Sequence, residues 1–297
     1  MKGYTNLTRT APKPLSAVLF MIAAGFINTI MLSAVKQLSG DMHAFEIAFF
    51  RCLFGFIVLL PLVWRGGGLP VLRTQHIGLH LLRGTLNAGG MLLFFWAVSL
   101  AHLATVSAIG FASPLFAALL AIPILGEKVG LRRWSGLIIG FAGTLIILRP
   151  GSDIVKLGAM LALASSILWA GAMITIKQLT HSDSPLSITT WASFFVGVFC
   201  LVPAIYVWQW PTGAQWIWLC LIGTLGSVIQ FCFAKAFSLA ETTLVLPFDF
   251  LKLVWASLFG FLLFAEIPDL WTWVGGIIIF ASAVYVAYRE RIKRQAG

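Results

Sequence analysis

"LRGTLNAGGMLLFFWAVSLA" (residues 82–101) and "LIGTLGSVIQFCFAKAFSLA" (residues 221–240) carry one pattern twice. Gly84-Thr85-Leu86 aligns with Gly223-Thr224-Leu225, and Ser99-Leu100-Ala101 with Ser238-Leu239-Ala240, at a constant offset of 139 residues (223 minus 84). The same register carries Glu127 onto Glu266, Trp134 onto Trp273, Gly136 onto Gly275 and Phe141-Ala142 onto Phe280-Ala281. Upstream, Lys36-Gln37-Leu38 answers Lys177-Gln178-Leu179, and Pro61 answers Pro203, at slightly different offsets. The chain is therefore a duplicated unit, with copies over residues 1–149 and 150–297.

Composition says what the unit is made of. The 297 residues are 60% hydrophobic and 10% charged, with a mean hydropathy of +0.96. Soluble domains carry about a quarter charged residues, so this chain has too little polar surface to cover itself in water. Apolar runs recur at about 15–38, 44–64, 77–100, 103–125, 132–149, 157–179, 185–208, 215–238, 241–264 and 270–288. Each approaches the roughly 20 residues that cross a bilayer core as a helix. Lipid offers the backbone no hydrogen-bond partners, so the runs form helices or a closed barrel. They lack two-residue alternation and are too long for barrel strands. The expected fold is an all-α membrane protein of ten transmembrane helices.

Five helices per copy is an odd number, so the second copy enters the membrane from the opposite side. The expected architecture is two inverted five-helix repeats around a central cavity, as in many secondary transporters. Duplication could also simply build a larger bundle. Charge placement supplies the orientation. Lys2, Arg9, Lys13, Arg65, Arg73, Lys128, Arg132, Arg133, Lys177 and the tail Arg289, Arg291, Lys293 and Arg294 fall on one side if the N-terminus is inside. The positive-inside rule then places both termini in the cytoplasm. The formal charge of +10 is read as topology, without a nucleic-acid partner. "LSAVLFMIAAGFINTIML" after a basic start imitates a signal peptide, but it is long for one and the repeat needs it as helix 1.

"FFRCLFGFIVLLPLV" (49–63) and "ILGEKVGLRRWSGLIIGFAGTLIIL" (124–148) resemble hallmark segments of the EamA family, in the drug/metabolite transporter superfamily. The second copy keeps Glu266, Trp273 and Gly275 but lacks the glycine before the glutamate, and Ser193 stands where Arg51 would repeat. The resemblance implies a carrier of small organic solutes with helices 1, 3, 4, 6, 8 and 9 around the cavity. It implies export of amino acids, aromatic ones included, across a bacterial inner membrane. Import of an S-adenosylmethionine-like metabolite and flipping of a lipid-linked substrate are the alternatives.

Cavity residues are sought where polarity is costly. "FDFLKLVWASLFGFLLF" (248–264) is apolar except for Asp249 and Lys252. Helix 4 presents Ser107, Gly110, Ser113 and Ala117 on one face, and the 139-residue offset maps that face onto Leu246, Asp249, Lys252 and Ala256. Asp249 lies about 12 Å and Lys252 about 16 Å into helix 9, at 1.5 Å per residue. A charge at that depth faces water or a partner. Asp249 and Lys252 either neutralise one another or meet a zwitterionic solute. Asn28, Asn87 and Gln230 are mid-helix amides for the cavity or for helix–helix hydrogen bonds. Trp96 and Trp169 stack on a solute or pack. Arg51, on a helix expected to be peripheral, is read as structural or snorkelling, and Arg83 and Lys235 as snorkelling. Gly136, Gly140 and Gly143 form a stripe for close packing.

Cys52, Cys200, Cys220 and Cys232 have no close pairing, and the five histidines have no metal spacing. There is no GxSxG, Walker or Rossmann element. The expectation is a monomeric carrier with no cofactor, no metal and no enzymatic activity, its partners being a small-molecule solute and the lipid bilayer.

Overall fold

The computed structural model describes residues 14–65, 68–125, 131–148, 157–179, 182–183, 185–239, 248 and 251–295. Asp249, Glu127 and Pro247 lie outside the described residues. Among those described, the helices are α1 (Pro14–Leu38), α2 (Ala44–Arg65), α3 (Ile77–Leu100), α4 (Leu103–Gly110), α5 (Ser113–Leu125) and α6 (Leu131–Leu148). The second half contributes α7 (Leu157–Leu179), α8 (Pro185–Tyr206), α9 (Gly213–Leu239), α10 (Leu251–Phe264) and α11 (Leu270–Gln295). A short 3₁₀ turn, Leu69–Leu72, precedes α3. Seven of the segments are long and apolar enough to cross a bilayer, α4 and α5 counting as one, and three shorter apolar helices accompany them. The chain is a multi-pass, all-α membrane protein whose ten apolar segments follow the ten runs of the sequence.

The fourth run is broken. Phe111 and Ala112 form a turn between α4 and α5, with Phe111 N–H donating to Ala108 O and Ala112 N–H to Ile109 O. Pro114, one residue into α5, lacks the N–H that would continue the ladder, so the helix restarts there. Pro61 and Pro203 sit inside the final turns of α2 and α8 rather than at their ends. Their neighbours near a terminus have fewer intrahelical bonds to lose.

Glycine sets how the halves meet. A Cβ on Gly143 of α6 would come 2.9 Å from Gly275 O of α11, and Ser282 of α11 donates to Gly136 O of α6. Gly275 is the repeat mate of Gly136, and Ser282 that of Gly143 (136 and 143 plus 139). Each residue thus touches the other's mate, and ascending α6 meets descending α11. Two copies of one helix crossing antiparallel with reciprocal contacts is the signature of a two-fold axis perpendicular to them. The wider packing exchanges in the same way: α3 lies on α7 as α1 lies on α9, and α3 on α8 as α2 on α9.

Large apolar side chains such as Ile138 and Leu145 of α6 and Phe261, Leu262 and Leu263 of α10 face outward. In water such a surface would aggregate, whereas lipid accepts it. The largest buried apolar cluster runs through α1, α2, α3, α4, α7, α8 and α9 and reaches Ala256 of α10.

Candidate central cavity

A cavity of about 470 Å³ opens among α1, α2, α3, α7, α8 and α9. Asn28 comes from α1, Arg51 and Gly55 from α2, and Arg83, Asn87, Met91 and Phe94 from α3. The second half adds Trp169 of α7, Thr189 and Ser193 of α8, and Gly226, Ser227, Gln230 and Phe233 of α9.

Backbone spacing shapes the walls. The indole of Trp169 lies against Gly90, where an added Cβ would come 2.7 Å from its Cδ1 and Nε1, and it packs at 4.8 Å from the ring of Phe94. The Arg51 guanidinium rests on Gly226, whose Cβ would lie 3.2 Å from Nε and 3.3 Å from Nη2. Arg51 donates from Nη1 to Met91 Sδ at 3.4 Å. Arg83, 8% exposed, donates from Nη1 to Ile188 O at 2.6 Å. The Nε groups of both arginines are buried without a partner. No carboxylate lines the cavity among the described residues.

Asn28, Asn87, Trp169 and Gln230 therefore come together on one wall system. Trp96, Ser107, Ser113 and Lys252 lie elsewhere. Trp96 packs edge-on to Phe45 at 5.6 Å and joins the apolar cluster. Ser107 is on α4 and Ser113 on α5, and α4 is occupied by contacts with α7, α10 and α11. Ser113 Oγ is buried without a partner. Lys252 of α10 lies beside Gly25 of α1, its ammonium 4.7 Å from the centre of the Phe233 ring, so it stands next to a lining side chain. Among the described residues the cavity is bordered by spans 1, 2, 3, 6, 7 and 8, where the resemblance implied 1, 3, 4, 6, 8 and 9.

Arg51 and Arg83 are the lining residues that a snorkelling interpretation misses. The available signal was Gly223-Thr224-Leu225-Gly226: two glycines three apart on one face admit a neighbouring helix closely. A Cβ at Gly223 would press on the Cβ of Phe54 and come 3.2 Å from Arg51 O, and Gly226 accommodates the guanidinium itself.

Each end of the bundle carries a polar clasp. At one end Lys36, closing α1, forms an ion pair with Glu266 of the α10–α11 loop and donates to Ala101 O at 2.6 Å. Leu103 N–H donates to Glu266 Oε2 at 2.9 Å, and Gly260 leaves the space that carboxylate occupies. Three connections are thereby tied to one carboxylate. Its repeat mates are Lys177, whose side chain is outside the described residues, and Glu127. At the other end Asp183 Oδ2 lies 2.6 Å from His80 Nε2 and accepts from Thr74 Oγ1 at 2.6 Å, while Trp191 Nε1 donates to Leu72 O. Burial alone would push the Asp183 carboxyl up; hydrogen bonds from Thr74, His80 and Ser182, with His80 charge, outweigh it and hold the group below its ordinary value.

A multi-pass helical bundle, built from a repeated unit and enclosing a mixed polar and aromatic chamber, defines the class of membrane solute carriers. The chain belongs to the EamA-like transporter family, which matches residues 15–149 and 156–288. It is 33% identical to a riboflavin transporter of Vibrio cholerae over 94% of this chain and 95% of that protein. An S-adenosylmethionine uptake transporter of Rickettsia felis is 31% identical over 86% of this chain and 87% of its own. The pseudopaline exporter CntI of Pseudomonas aeruginosa is 29% identical over 93% and 97%. A crystal structure 18% identical in sequence superposes with a TM-score of 0.62 over 92% of this chain and 98% of that one, a likeness of fold. The chain is a small-molecule transporter and not an enzyme.

Proposed function

We propose that the protein is a secondary transporter that carries a planar, hydrogen-bonding metabolite through the central cavity by alternating access. Two inverted repeats, residues 1–149 and 150–297, supply the two states by exchanging shapes. The carrying observation is the chamber of about 470 Å³ with Trp169 and Phe94 on one wall and the amides of Asn28, Asn87 and Gln230 around it. Clefts of roughly 300–1,000 Å³ hold drug-sized ligands, which favours a solute larger than an amino acid. Uptake or export of a vitamin- or S-adenosylmethionine-sized compound, as named for the relatives, is the first reading. Export of aromatic amino acids is the second, supported by the aromatic wall and by two arginines suited to a carboxylate.

The Lys36–Glu266 clasp acts as the gate at one end, and the Asp183–His80–Thr74 cluster as that at the other. Asp249 and Lys252 serve the solute path, Lys252 from beside Phe233. Basic-residue placement supports an inner-membrane protein with both termini in the cytoplasm, acting as a monomer. Proteoliposomes containing the purified protein, presented with labelled riboflavin, S-adenosylmethionine and the aromatic amino acids, test this directly. Saturable flux of one of them is expected; no saturable flux of any removes these substrates.

A further inference from the structure

We infer that the cavity carries an anion subsite formed by Arg51 and Arg83, so that the solute bears a carboxylate or a phosphate monoester on a planar body. The inference rests on the central cavity being the solute's place. A guanidinium stays protonated in proteins, so both arginines carry charge in the membrane interior. Such charges are expensive unless water, a counter-charge or a ligand meets them.

Counter-charge within the chain is committed elsewhere among the described residues. Glu266 pairs with Lys36, Asp183 with His80 and Thr74, and Asp269 with Thr272. Glu46, five positions before Arg51 on α2, accepts from Gln209 N–H rather than from the guanidinium. What the arginines do touch is a thioether, the neighbouring Cys52 thiol and one backbone carbonyl, with no carboxylate among them. Met91 Sδ is a weak acceptor, and each Nε is unsatisfied. Two forks with spare donors border one chamber that has no carboxylate among its described lining residues.

The geometry suits oxyanions. Guanidinium presents paired donors that match carboxylate and phosphate oxygens, and such charge-assisted bonds are about twice as strong as neutral ones. Gly226 leaves the room in which the Arg51 fork lies against α9. The second copy breaks the symmetry here: Ser193 occupies the position of Arg51 and Asn87 that of Gly226. Both mates line the same cavity. The chamber therefore holds two guanidinium groups among neutral, hydrogen-bonding side chains. A solute is thereby oriented, its anionic end toward α2 and its planar body between Trp169 and Phe233.

The full-length protein in lipid nanodiscs tests this by calorimetric titration with two matched pairs. Indole-3-acetate against indole-3-acetamide reads a carboxylate, and flavin mononucleotide against riboflavin reads a phosphate. At least one anion should bind about tenfold or more tightly than its neutral mate, since hydrogen bonds to charged groups contribute that much. Arg51→Gln or Arg83→Gln should erase the ratio while the neutral mate's affinity stays within about threefold. Arg51→Lys, which keeps the charge and loses the fork, should give an intermediate ratio and guards against a folding defect. The pair that shows the ratio identifies the anionic group. Ratios near one in the wild type, a ratio that survives both glutamine variants, or no detectable binding of either anion overturns the inference. Anion-selective binding without flux in liposomes would leave the subsite standing and remove transport of these solutes instead.

Discussion

At the scale of single residues, the cavity depends on what is missing from Gly226. A methyl there would stand 3.2 Å from Arg51 Nε and 3.3 Å from Nη2, closer than ordinary contact. Gly226→Ala should therefore weaken solute affinity by about tenfold while leaving the thermal midpoint nearly unchanged, because only a side-chain tip has to move. Glu266→Gln is expected to behave differently. It leaves Lys36, 15% exposed, beside a neutral amide and weakens the tie to three connections. Breaking a buried pair at one partner costs about 3 kcal/mol, read as a lowered unfolding midpoint in detergent. Much of this was legible residue by residue. Asn28, Asn87, Gln230 and Trp169 stand out as polar or planar groups in the middle of oil, and all four reach the cavity wall. Arg51 and Arg83 did not stand out in the same way. An arginine one or two turns from a helix end can run outward to the headgroups or inward to a chamber, and its own helix does not choose. For Arg51 the choice is made by a glycine in the other half of the chain.

At the scale of elements, length and apolarity located the spans but not their lining faces. Helix 4 presents a small, mildly polar stripe, yet α4 packs on α7, α10 and α11, and of the stripe Gly110 faces Phe94 of the cavity wall without lining the cavity itself. A stripe of serine, glycine and alanine reads the same whether it faces water or a neighbouring helix, since both favour small side chains. The stripe of α6 had a more definite outcome. Gly140 and Gly143 pack against Leu115, Ser282, Gly275 and Ile279, as close packing requires. Gly143→Leu should force α6 from α11 and lower stability by about 1–3 kcal/mol, the usual cost of overpacking. Unfolding midpoints would show it, and an unchanged midpoint would mean that the α6–α11 contact is loose. The break at Phe111-Ala112 follows from Pro114, whose effect on the backbone is local and therefore readable in sequence.

At the scale of the whole molecule, the duplicated sequence and the reciprocal contacts of α6 with α11 describe one device with two ends. Their chemistry differs, and the Asp183 end responds to pH. Asp183 is held below its ordinary value of 3.8, so it contributes stability above that value and loses it as pH falls through the depressed one. The thermal midpoint of the wild type should therefore fall on acidification below about pH 4. Asp183→Asn should start lower at neutral pH and lose less on that acid side. The central claim is that a wet chamber between the halves reaches each face in turn. Ser193→Cys and Gln230→Cys, placed singly in a chain with Cys52, Cys200, Cys220 and Cys232 replaced, test it with a membrane-impermeant thiol reagent on right-side-out and inverted vesicles. Both cysteines should react from either face, and transported solute should slow the reaction. Labelling from one face alone, or from neither, would contradict it.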